Sequence, residues 1–344
     1  MDNKSIDHVA IVVVNYKAAD DTLMSVRSLL TQSCSHFHII VIENGSKDGS
    51  FEKFETFQEK HQDKVSILRN NENKGFTGGV NTGIRWAQQQ GKYNYVALFN
   101  NDAVADKEWL SSLLSKANEN ASYGIVTGLL LHEDGSTIDS TGEFYSKWGL
   151  AFSRDRNQKS AKAHKAGLVF GATGGATLYK MTLLNEVGLF DESFFAYYED
   201  MDISFRSQLR GWEVFYTPKA IAYHKRGATT KKMPGGFAVY QTFKNLPTLF
   251  FKNVPKELLL SIGSRFLLAY VMMLGNAIAK GKGGSALAGY FKSIILFWKV
   301  ALPARKKIQS HKTVSASYLQ SIIWQDLPPD QTGLRKLRHI FTGK

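Results

Sequence analysis

Short apolar segments that alternate with helix-period segments are the feature that most constrains the fold of this chain. Each of four such apolar runs is followed by polar or turn-forming residues: 9–14, 38–42, 65–68 and 95–99. Between them, residues 20–33 and 80–90 repeat apolar side chains at helical spacing. Continuous apolar runs of this length are typical of parallel strands covered on both faces. The alternation therefore predicts an open α/β sheet, in which ligands bind beyond the carboxyl ends of the strands.

The pattern becomes less regular in the second half of this sheet. Residues 168–180 and 212–223 have strand-like patterns, and a helix is predicted between them at 199–210. Residues 144–166 lose periodicity and gain Lys and Arg. We expect that segment to be a mobile loop over the site.

The net positive charge of the chain comes from its last third. Residues 1–224 contain 23 Lys/Arg and 27 Asp/Glu, whereas residues 225–344 contain 20 Lys/Arg and only 3 Asp/Glu. A basic region of this kind has a different partner from the neutral body. We therefore predict a catalytic domain over 1–240 and a basic, helical region over 241–344.

Two apolar stretches, 258–279 and 286–302, lie within this basic region. The first is long enough to span a bilayer, but Arg265 would be costly there. Interfacial helices with a basic face are the favoured interpretation, which predicts that this region associates with a membrane surface. A true span and a soluble helical packing surface remain open alternatives.

The single cysteine, Cys34, excludes an internal disulfide framework and a cysteine zinc site. The first residues, 1–4, are polar and carry no signal-peptide pattern. Both observations favour a cytoplasmic location.

Two polar groups follow apolar strands at positions where a metal could bind. Asn100-Asn101-Asp102 closes one strand, and a carboxylate beside amides suits a hard divalent cation. Aspartate is also common there as a turn former or helix cap. His224 ends the strand 220–223. A lone histidine is more often structural than a metal ligand, and His224 gains weight only as a partner for Asp102.

The segment 194–202 combines aromatic residues with three carboxylates within four positions, Glu199, Asp200 and Asp202. Such carboxylates repel one another and need a cation, a basic partner or a chemical task. The preceding aromatic residues indicate partial burial, which raises proton affinity and suits a general base. The alternative is an ordinary acidic helix N-terminus, stabilised by the helix dipole.

A loop rich in Asn and Gly is predicted at 70–79, ahead of the helix 80–90. Glycine allows the backbone to approach a ligand, and a helix N-terminus favours phosphate. The loop matches neither the GxGxxG pattern nor the P-loop. Nicotinamide dehydrogenases and P-loop nucleoside triphosphatases therefore lose support.

Taken in order, six motifs resemble those of the family 2 glycosyltransferases with the GT-A fold, and most of all rhamnosyltransferase-like enzymes of bacterial cell-surface polysaccharide synthesis. The motifs lie within roughly 8–226: Val12-Val13-Val14-Asn15-Tyr16, Glu43-Asn44-Gly45-Ser46-Lys47-Asp48-Gly49, Asn73-Lys74-Gly75-Phe76, Asn100-Asn101-Asp102, Gly188-Leu189-Phe190-Asp191-Glu192, and Glu199-Asp200-Met201-Asp202 with Arg206. The resemblance implies a mixed, mainly parallel sheet flanked by helices, followed by a C-terminal helical region.

The resemblance also implies a role for each matching residue. Asp200 would be the general base, and Asp102 with His224 would hold Mg²⁺ or Mn²⁺ against the donor diphosphate. The predicted nucleotide-sugar contacts are Asn15, Glu43, Asn73, Gly75, Asn101 and Asp102. The predicted contacts to the donor or acceptor sugar are Asp191, Glu192 and Glu199. Two residues depart from the family pattern, which has Asp where this chain has Glu43 and a carboxylate where it has Asn100.

The implied reaction is inverting transfer of one sugar from a nucleotide-diphosphate sugar to a glycan or polyprenyl-linked acceptor. The first donor to test on resemblance is dTDP-rhamnose. The Gln-x-x-Arg-Trp signature of polymerising members is missing, since the nearest stretch, 208–212, does not fit it. The basic region would hold the enzyme at the inner face of the cell membrane.

Two rival functions receive less support. Nucleotidyl transfer usually needs a basic glycine-rich loop after the first strand, and residues 15–20 contain no glycine. A nucleic-acid-binding role is not expected, because the basic region lacks interleaved aromatic and basic residues.

Overall fold

The computed structural model describes residues 8–225 and 233–329, together with residues 331, 333 and 335. Its strands are β1 (Val9–Asn15), β2 (Phe37–Asn44), β3 (Val65–Asn70), β4 (Tyr95–Phe99), β5 (Ala103–Ala105), β6 (Tyr123–His132), β7 (Ile138–Ser140), β8 (Glu143–Tyr145), β9 (Ala151–Ser153), β10 (Gly167–Val169), β11 (Ala176–Lys180) and β12 (Glu213–His224). Its α-helices are α1 (Ala19–Leu30), α2 (Ser50–Glu59), α3 (Gly75–Gln90), α4 (Trp109–Ala117), α5 (Met181–Val187), α6 (Glu199–Leu209), α7 (Phe237–Asn253), α8 (Lys256–Ala279), α9 (Gly283–Leu296), α10 (Leu302–Ser310) and α11 (Ala316–Ile322). Short 3₁₀ turns lie at Ser160–Lys162 and Glu192–Phe194, and a π-helical turn, Phe297–Ala301, joins α9 to α10.

Ten of these strands form a mixed sheet in the order β10-β12-β6-β11-β4-β1-β2-β3, with β5 added beside β12 and β7 beside β6. Strand β1 is parallel to both β2 and β4, and β2 is parallel to β3. Strand β11 is antiparallel to its two neighbours, β4 and β6. The predicted architecture of a mixed sheet flanked by helices, with a helical C-terminal region, is confirmed.

Side-chain alternation along β1 explains why helices cover both faces of the sheet. Val9, Ile11 and Val13 pack with α1, whereas Ala10 and Val12 belong to the core beneath α3. Because β1, β2 and β4 run in the same direction, their carboxyl ends meet at one edge. The polar segments that follow these strands lie along that edge.

The glycine-rich segment predicted as a loop at 70–79 is partly helical, since α3 begins at Gly75. A Cβ at Gly79 would lie 2.6 Å from Cγ1 of Val14, and one at Gly83 would lie 2.6 Å from Cγ1 of Val12. Glycine at these positions lets α3 pack directly on β1. The sequence prediction was wrong here because close helix–strand packing and a ligand loop require the same residue.

The strand-like pattern at 168–180 also divides in two. Strand β10 pairs with β12 at the sheet edge, whereas β11 lies between β4 and β6. The intervening segment crosses the carboxyl end of β4, where Asn100 N donates to the Gly175 carbonyl at 2.8 Å. The segment between the two strands, 170–175, contains three glycines but no charged residue or proline that would mark the crossover in the sequence.

Residues 144–166 are not an irregular loop throughout, because β8 and β9 form an antiparallel hairpin there. Tyr145 and Leu150 are buried against the C-terminal helices. Residues 151–153 and 155–158 nevertheless line the cleft described below, which agrees with the predicted position of the segment. The regular structure was missed because each strand has only three residues.

The C-terminal helices pack on the sheet domain and on one another. The proposed boundary at 240/241 falls within α7, and α7 contacts α6 as well as α9. Two helical stretches, Lys256–Ala279 and Gly283–Ser310, are long and apolar enough to cross a membrane by length and composition. In an 18-residue apolar window of each stretch, only 28% is buried within the protein.

Candidate active site

A cleft of about 680 Å³ opens at the carboxyl ends of β1, β4 and β12. It brings together most of the predicted site residues. Those that line it are Asn73, Gly75, Asn101, Asp102, Glu199, Asp200 and His224. Glu143 of β8, Phe152 of β9 and Arg156, which follows β9, also line the cleft.

One end of the cleft is an Asp–His–Asp corner formed by Asp102, Asp139 and His224. The antiparallel pairing of β5 with β12 places His224 opposite Ala103, and therefore beside Asp102. His224 Nε2 lies 3.0 Å from Asp102 Oδ1, and His224 Nδ1 lies 2.8 Å from Asp139 Oδ2. The role of Asp139 was missed because a single aspartate in a short strand carries no motif.

The two aspartates control the charge of His224. Burial disfavours the imidazolium, but hydrogen bonds and attraction to Asp102 and Asp139 outweigh burial and raise the pKa of His224 to about 9. Arg156 adds a further positive charge, 3.4 Å from Asp139 Oδ1. Positive groups therefore compensate the carboxylates of this corner.

The corner also fits a divalent cation, although only two of its side chains would be direct ligands. Asp102 Oδ1 and His224 Nε2 converge, while Asp139 contacts the other ring nitrogen, as in carboxylate–histidine–metal arrangements. No group of three or more His, Cys, Asp or Glu side chains able to hold a metal ion occurs within the described residues. The donor set thus suits an ion that takes its other ligands from a bound diphosphate and water.

The second charged region is a carboxyl cluster formed by Glu143, Glu199 and Asp200. Asp200 lies in the first turn of α6 and accepts hydrogen bonds from Gly174 N at 3.1 Å and Met201 N at 2.7 Å. Glu143 accepts hydrogen bonds from Ser153 at 2.7 Å and Ser140 at 3.2 Å. Glu143 was missed because an isolated glutamate in a weak strand pattern gives no signal.

Burial and mutual repulsion raise the proton affinity of this cluster. Burial, together with the nearby Asp200 charge, raises the pKa of both Glu143 and Glu199 to about 8. Burial also raises the pKa of Asp200, but its backbone N–H donors favour the ionised form. The backbone N–H donors of Gly174 and Met201 thus favour a negative charge on Asp200 within this cluster.

The third carboxylate of the acidic segment, Asp202, faces away from the cleft. It is fully buried and bonded to Arg206 at 2.9 Å, Lys252 at 2.9 Å and Asn253 at 2.8 Å. Arg206 also donates to the carbonyls of residues 187–189. Two of the family motifs are thus held together by an interior ion pair.

Asn15 and Glu43 do not line the cleft. The Asn15 side chain accepts hydrogen bonds from Ala18 N and the Thr22 hydroxyl, and donates to Ser46. Glu43 accepts from the backbone N–H groups of residues 45 and 46. Both side chains hold the loops beside the cleft, and their contact with a nucleotide stays a prediction.

Asp191 and Glu192 also lie outside the cleft lining. Asp191 pairs with Lys252 at 2.6 Å, and Glu192 pairs with Arg85 at 2.7 Å and with Asn81 at 2.9 Å. These partners satisfy both carboxylates within the protein. The predicted sugar contacts of Asp191 and Glu192 therefore receive no support from their position.

The chain shares its fold with solved glycosyltransferase structures. The mannosyltransferase PcManGT from Pyrobaculum calidifontis, in complex with GDP-Man and Mn²⁺, aligns with a TM-score of 0.55 at 15% sequence identity. The alignment covers 92% of this chain and 86% of that one. A likeness at this identity shows the fold, which is the GT-A arrangement predicted from the sequence.

Sequence comparison extends the likeness to glycan-synthesis proteins. The chain is 22% identical over 244 residues to the low-salt glycan biosynthesis hexosyltransferase of Haloferax volcanii, covering 70% of this chain and 74% of that protein. It is 25% identical over 225 residues to poly-beta-1,6-N-acetyl-D-glucosamine synthase of Staphylococcus epidermidis, covering 64% of this chain. That alignment spans 51% of the synthase, about half of its length. The model of glycosyl transferase family 2 matches residues 10–188, more than half of this chain, which therefore belongs to that family.

Proposed function

We propose that this protein transfers a single sugar, with inversion, from a nucleotide-diphosphate sugar to a glycan or polyprenyl-linked acceptor in cell-surface polysaccharide synthesis. The observation that carries the proposal is that the Asp–His–Asp corner and Asp200 share one cleft. An acidic base and a cation-binding corner are what displacement of a nucleoside diphosphate by a hydroxyl requires. Family membership supports the same reaction class.

The Asp–His–Asp corner is proposed to bind the donor diphosphate. Asp102 and His224 would hold Mg²⁺ or Mn²⁺, and Asp139 would keep Nε2 of His224 turned towards the ion. The bound cation stabilises the negative charge that develops on the leaving diphosphate. Asn73, Gly75 and Asn101 line the cleft and are the proposed contacts to the remainder of the nucleotide sugar.

Asp200 is proposed to remove the proton from the acceptor hydroxyl as that oxygen attacks the anomeric carbon. Its two backbone N–H donors keep its charge in place, whereas Glu199 and Glu143 remain largely protonated at neutral pH. A protonated Glu199 can donate a hydrogen bond to a sugar oxygen. One base facing the anomeric carbon from the side opposite the leaving group gives single displacement and inversion.

A donor panel tests the reaction. The protein is incubated with nucleotide-diphosphate sugars, dTDP-rhamnose first, with Mn²⁺ or Mg²⁺ and a polyprenyl-linked sugar acceptor, and nucleoside diphosphate release is measured. We expect cation-dependent release with at least one donor, and no release when the cation is chelated. Consumption of no donor in the panel would contradict sugar transfer, and pyrophosphate release from a nucleoside triphosphate plus a sugar phosphate would favour nucleotidyl transfer.

The C-terminal helices are proposed to place the enzyme on the inner face of the cell membrane. Sixteen large hydrophobic side chains are exposed among the described residues, and thirteen of them lie between Phe251 and Leu302. We call the following part of this set the apolar face: Leu260, Leu267, Leu268, Val271, Ile278, Phe291, Ile294, Ile295 and Trp298. Basic residues surround it, and such a combination binds anionic lipid.

Packing favours helices that lie on the membrane over helices that cross it. The opposite side of α8 is buried on the protein along its length, through Leu258, Ile262, Phe266, Tyr270 and Ala277. Helix α9 packs on α7, where a Cβ at Gly289 would lie 2.4 Å from the Tyr240 carbonyl. A span would have to separate both helices from these contacts.

Vesicle flotation of the whole protein tests membrane attachment. We expect binding to phosphatidylglycerol vesicles, weaker binding to phosphatidylcholine vesicles, and reduced binding for Leu267→Asp. Leu168→Asp is a matched control because Leu168 is equally exposed but lies on β10, outside the apolar face. A wild-type protein that does not float with anionic vesicles would contradict this part of the proposal.

A further inference from the structure

Four polar side chains of α7 bind the segment that surrounds Asp200. Lys244 Nζ donates to the carbonyls of Ser193 and Phe194, each at 3.0 Å. Eight and nine residues after Lys244 on the same helix, Lys252 and Asn253 bind Asp202 at 2.9 and 2.8 Å. Asp200 thus lies between two points at which α7 is bonded to the catalytic segment.

Asn245 makes the most concentrated contact. Its Nδ2 atom donates to the carbonyls of Phe194 at 3.0 Å, Ala196 at 2.9 Å and Tyr197 at 2.8 Å. The side chain is completely buried. Its amide N–H groups are therefore directed at one loop, residues 194–197, which immediately precedes the carboxyl cluster.

That loop has a backbone conformation that needs external support. Phe195, Tyr197 and Tyr198 have φ values of 63°, 70° and 71°, in the left-handed region that residues other than glycine rarely adopt. Such conformations persist only where the surrounding structure holds them. The carbonyl contacts of Asn245 and Lys244 supply that support from α7.

The loop connects both sides of the cleft to Asp200. Phe195 accepts a hydrogen bond from Thr77 N at 3.2 Å, next to the proposed nucleotide contacts Asn73 and Gly75. Tyr198 is the N-cap of α6, and its carbonyl accepts the first helical hydrogen bond, from Asp202 N at 2.9 Å. A shift of this loop would therefore move the first turn of α6, which carries Asp200.

We propose that Asn245 and Lys244 are positioning residues for sugar transfer, because they fix the main chain of residues 193–197 and thereby the carboxylate of Asp200. This inference rests on the proposed function. It places two residues from the basic C-terminal region in support of the catalytic centre, although neither residue touches the proposed donor site. Loss of either contact affects the chemical step more than donor binding.

Two variants with similar packing loss test the inference. Asn245→Ala removes the three loop contacts, whereas Leu249→Ala shortens a fully buried side chain one turn further along α7. Folded fraction, donor affinity with Mn²⁺, and kcat are measured on both. We expect kcat of folded Asn245→Ala to fall about 10–100-fold, because a displacement of about 1 Å at a catalytic group has such an effect.

The remaining outcomes separate positioning from folding and from the reaction itself. Donor Kd should stay near the wild-type value in Asn245→Ala, and Leu249→Ala should retain kcat per folded molecule. Lys244→Met, which keeps most of the side-chain volume, should show a smaller kcat loss. It replaces Asn245→Ala as the test variant if Asn245→Ala does not fold. Unchanged kcat in both Asn245→Ala and Lys244→Met, or in Lys244→Met alone if Asn245→Ala does not fold, overturns the inference. A wild type that turns over no donor contradicts the proposed function instead.

Discussion

The two charged regions of the cleft balance their charge by different means. In the Asp–His–Asp corner, an imidazole lies between two carboxylates, 3.0 and 2.8 Å away, and Arg156 adds a second positive group. In the carboxyl cluster, three acidic side chains meet and accept hydrogen bonds from backbone N–H groups and hydroxyls, and Arg156 and Lys244 attract them electrostatically. On the proposed function, the first region would receive a cation in place of the His224 proton, and the second would receive a proton from the acceptor.

This difference shows how the five carboxyl groups of these two regions could divide the chemistry between them. In the Asp–His–Asp corner, His224 lies between Asp102 and Asp139, and its raised pKa means that a proton has to leave before Nε2 can bind a metal ion. Glu143 and Glu199 are raised to a pKa of about 8 by burial and by Asp200. Asp200 differs from the two glutamates because Gly174 N and Met201 N donate hydrogen bonds that favour its ionised form.

The largest effect is expected when the corner loses its carboxylate. Asp102→Asn removes the acidic ligand for the cation, and several kcal/mol of leaving-group stabilisation correspond to a rate loss of about 10³-fold. Donor turnover with saturating Mn²⁺ measures this loss. Asp63→Asn, on an exposed carboxylate far from the cleft, should behave like wild type. A rate for Asp102→Asn equal to that of Asp63→Asn would contradict the assignment of the cation to this corner.

A smaller effect is expected from the residue that orients the imidazole. Asp139→Asn weakens the hydrogen bond to Nδ1 of His224. Substitution of a residue that hydrogen-bonds to a metal ligand typically changes metal affinity about 10–100-fold. The Mn²⁺ concentration that gives half-maximal turnover should rise by that factor, with little change in rate at saturation. An unchanged Mn²⁺ requirement would show that Asp139 does not orient His224.

The smallest effect is expected in how the stability of the folded protein depends on pH, through ionisation of the carboxyl cluster. The folded pKa of Glu143, about 8, lies above its ordinary value near 4.5, so the protonated group stabilises the folded protein below pH 4.5. That stabilisation is lost as the pH rises from about 4.5 to about 8. Glu143→Gln cannot ionise in either state and avoids this loss.

Thermal unfolding of wild type and Glu143→Gln across this pH range measures the difference. Relative to wild type, the Tm of Glu143→Gln should rise between pH 5 and pH 8.5, because only the wild type loses stability as Glu143 ionises. A constant difference in Tm across the range would mean that Glu143 ionises normally in the folded protein.

The sequence predicts the sheet and the position of polar residues at strand ends well, because both follow from local patterns. Asp102, Asp200 and His224 each occur at the end of a strand or the start of a helix, and all three line the cleft. Asp139 and Glu143 could not be predicted in the same way. They reach the site only through the pairing of short strands, β7 with β6 and β8 with β9.

Residues can also match a family motif and yet be held in the interior or outside the cleft. Asp202 and Arg206 form a buried ion pair, and Asp191 is paired with Lys252. The partners Lys252 and Asn253 come from α7, about fifty positions later in the chain. A sequence pattern therefore identifies the acidic residues. Only tertiary contacts distinguish Asp200, which lines the cleft, from Asp202 and Asp191, which are paired with basic side chains.

The most direct test of Asp200 as the general base is the single-turnover rate of nucleoside diphosphate release for Asp200→Asn and Glu199→Gln. Donor affinity is measured on the same two variants. The account predicts that Asp200→Asn binds donor normally but reacts about 10²–10⁴-fold more slowly, the usual contribution of a general base. Glu199→Gln should lose far less, because Gln resembles the protonated Glu199 of the wild type. Equal rates for the two variants, or a wild-type rate in Asp200→Asn, would contradict the assignment of Asp200 as the base.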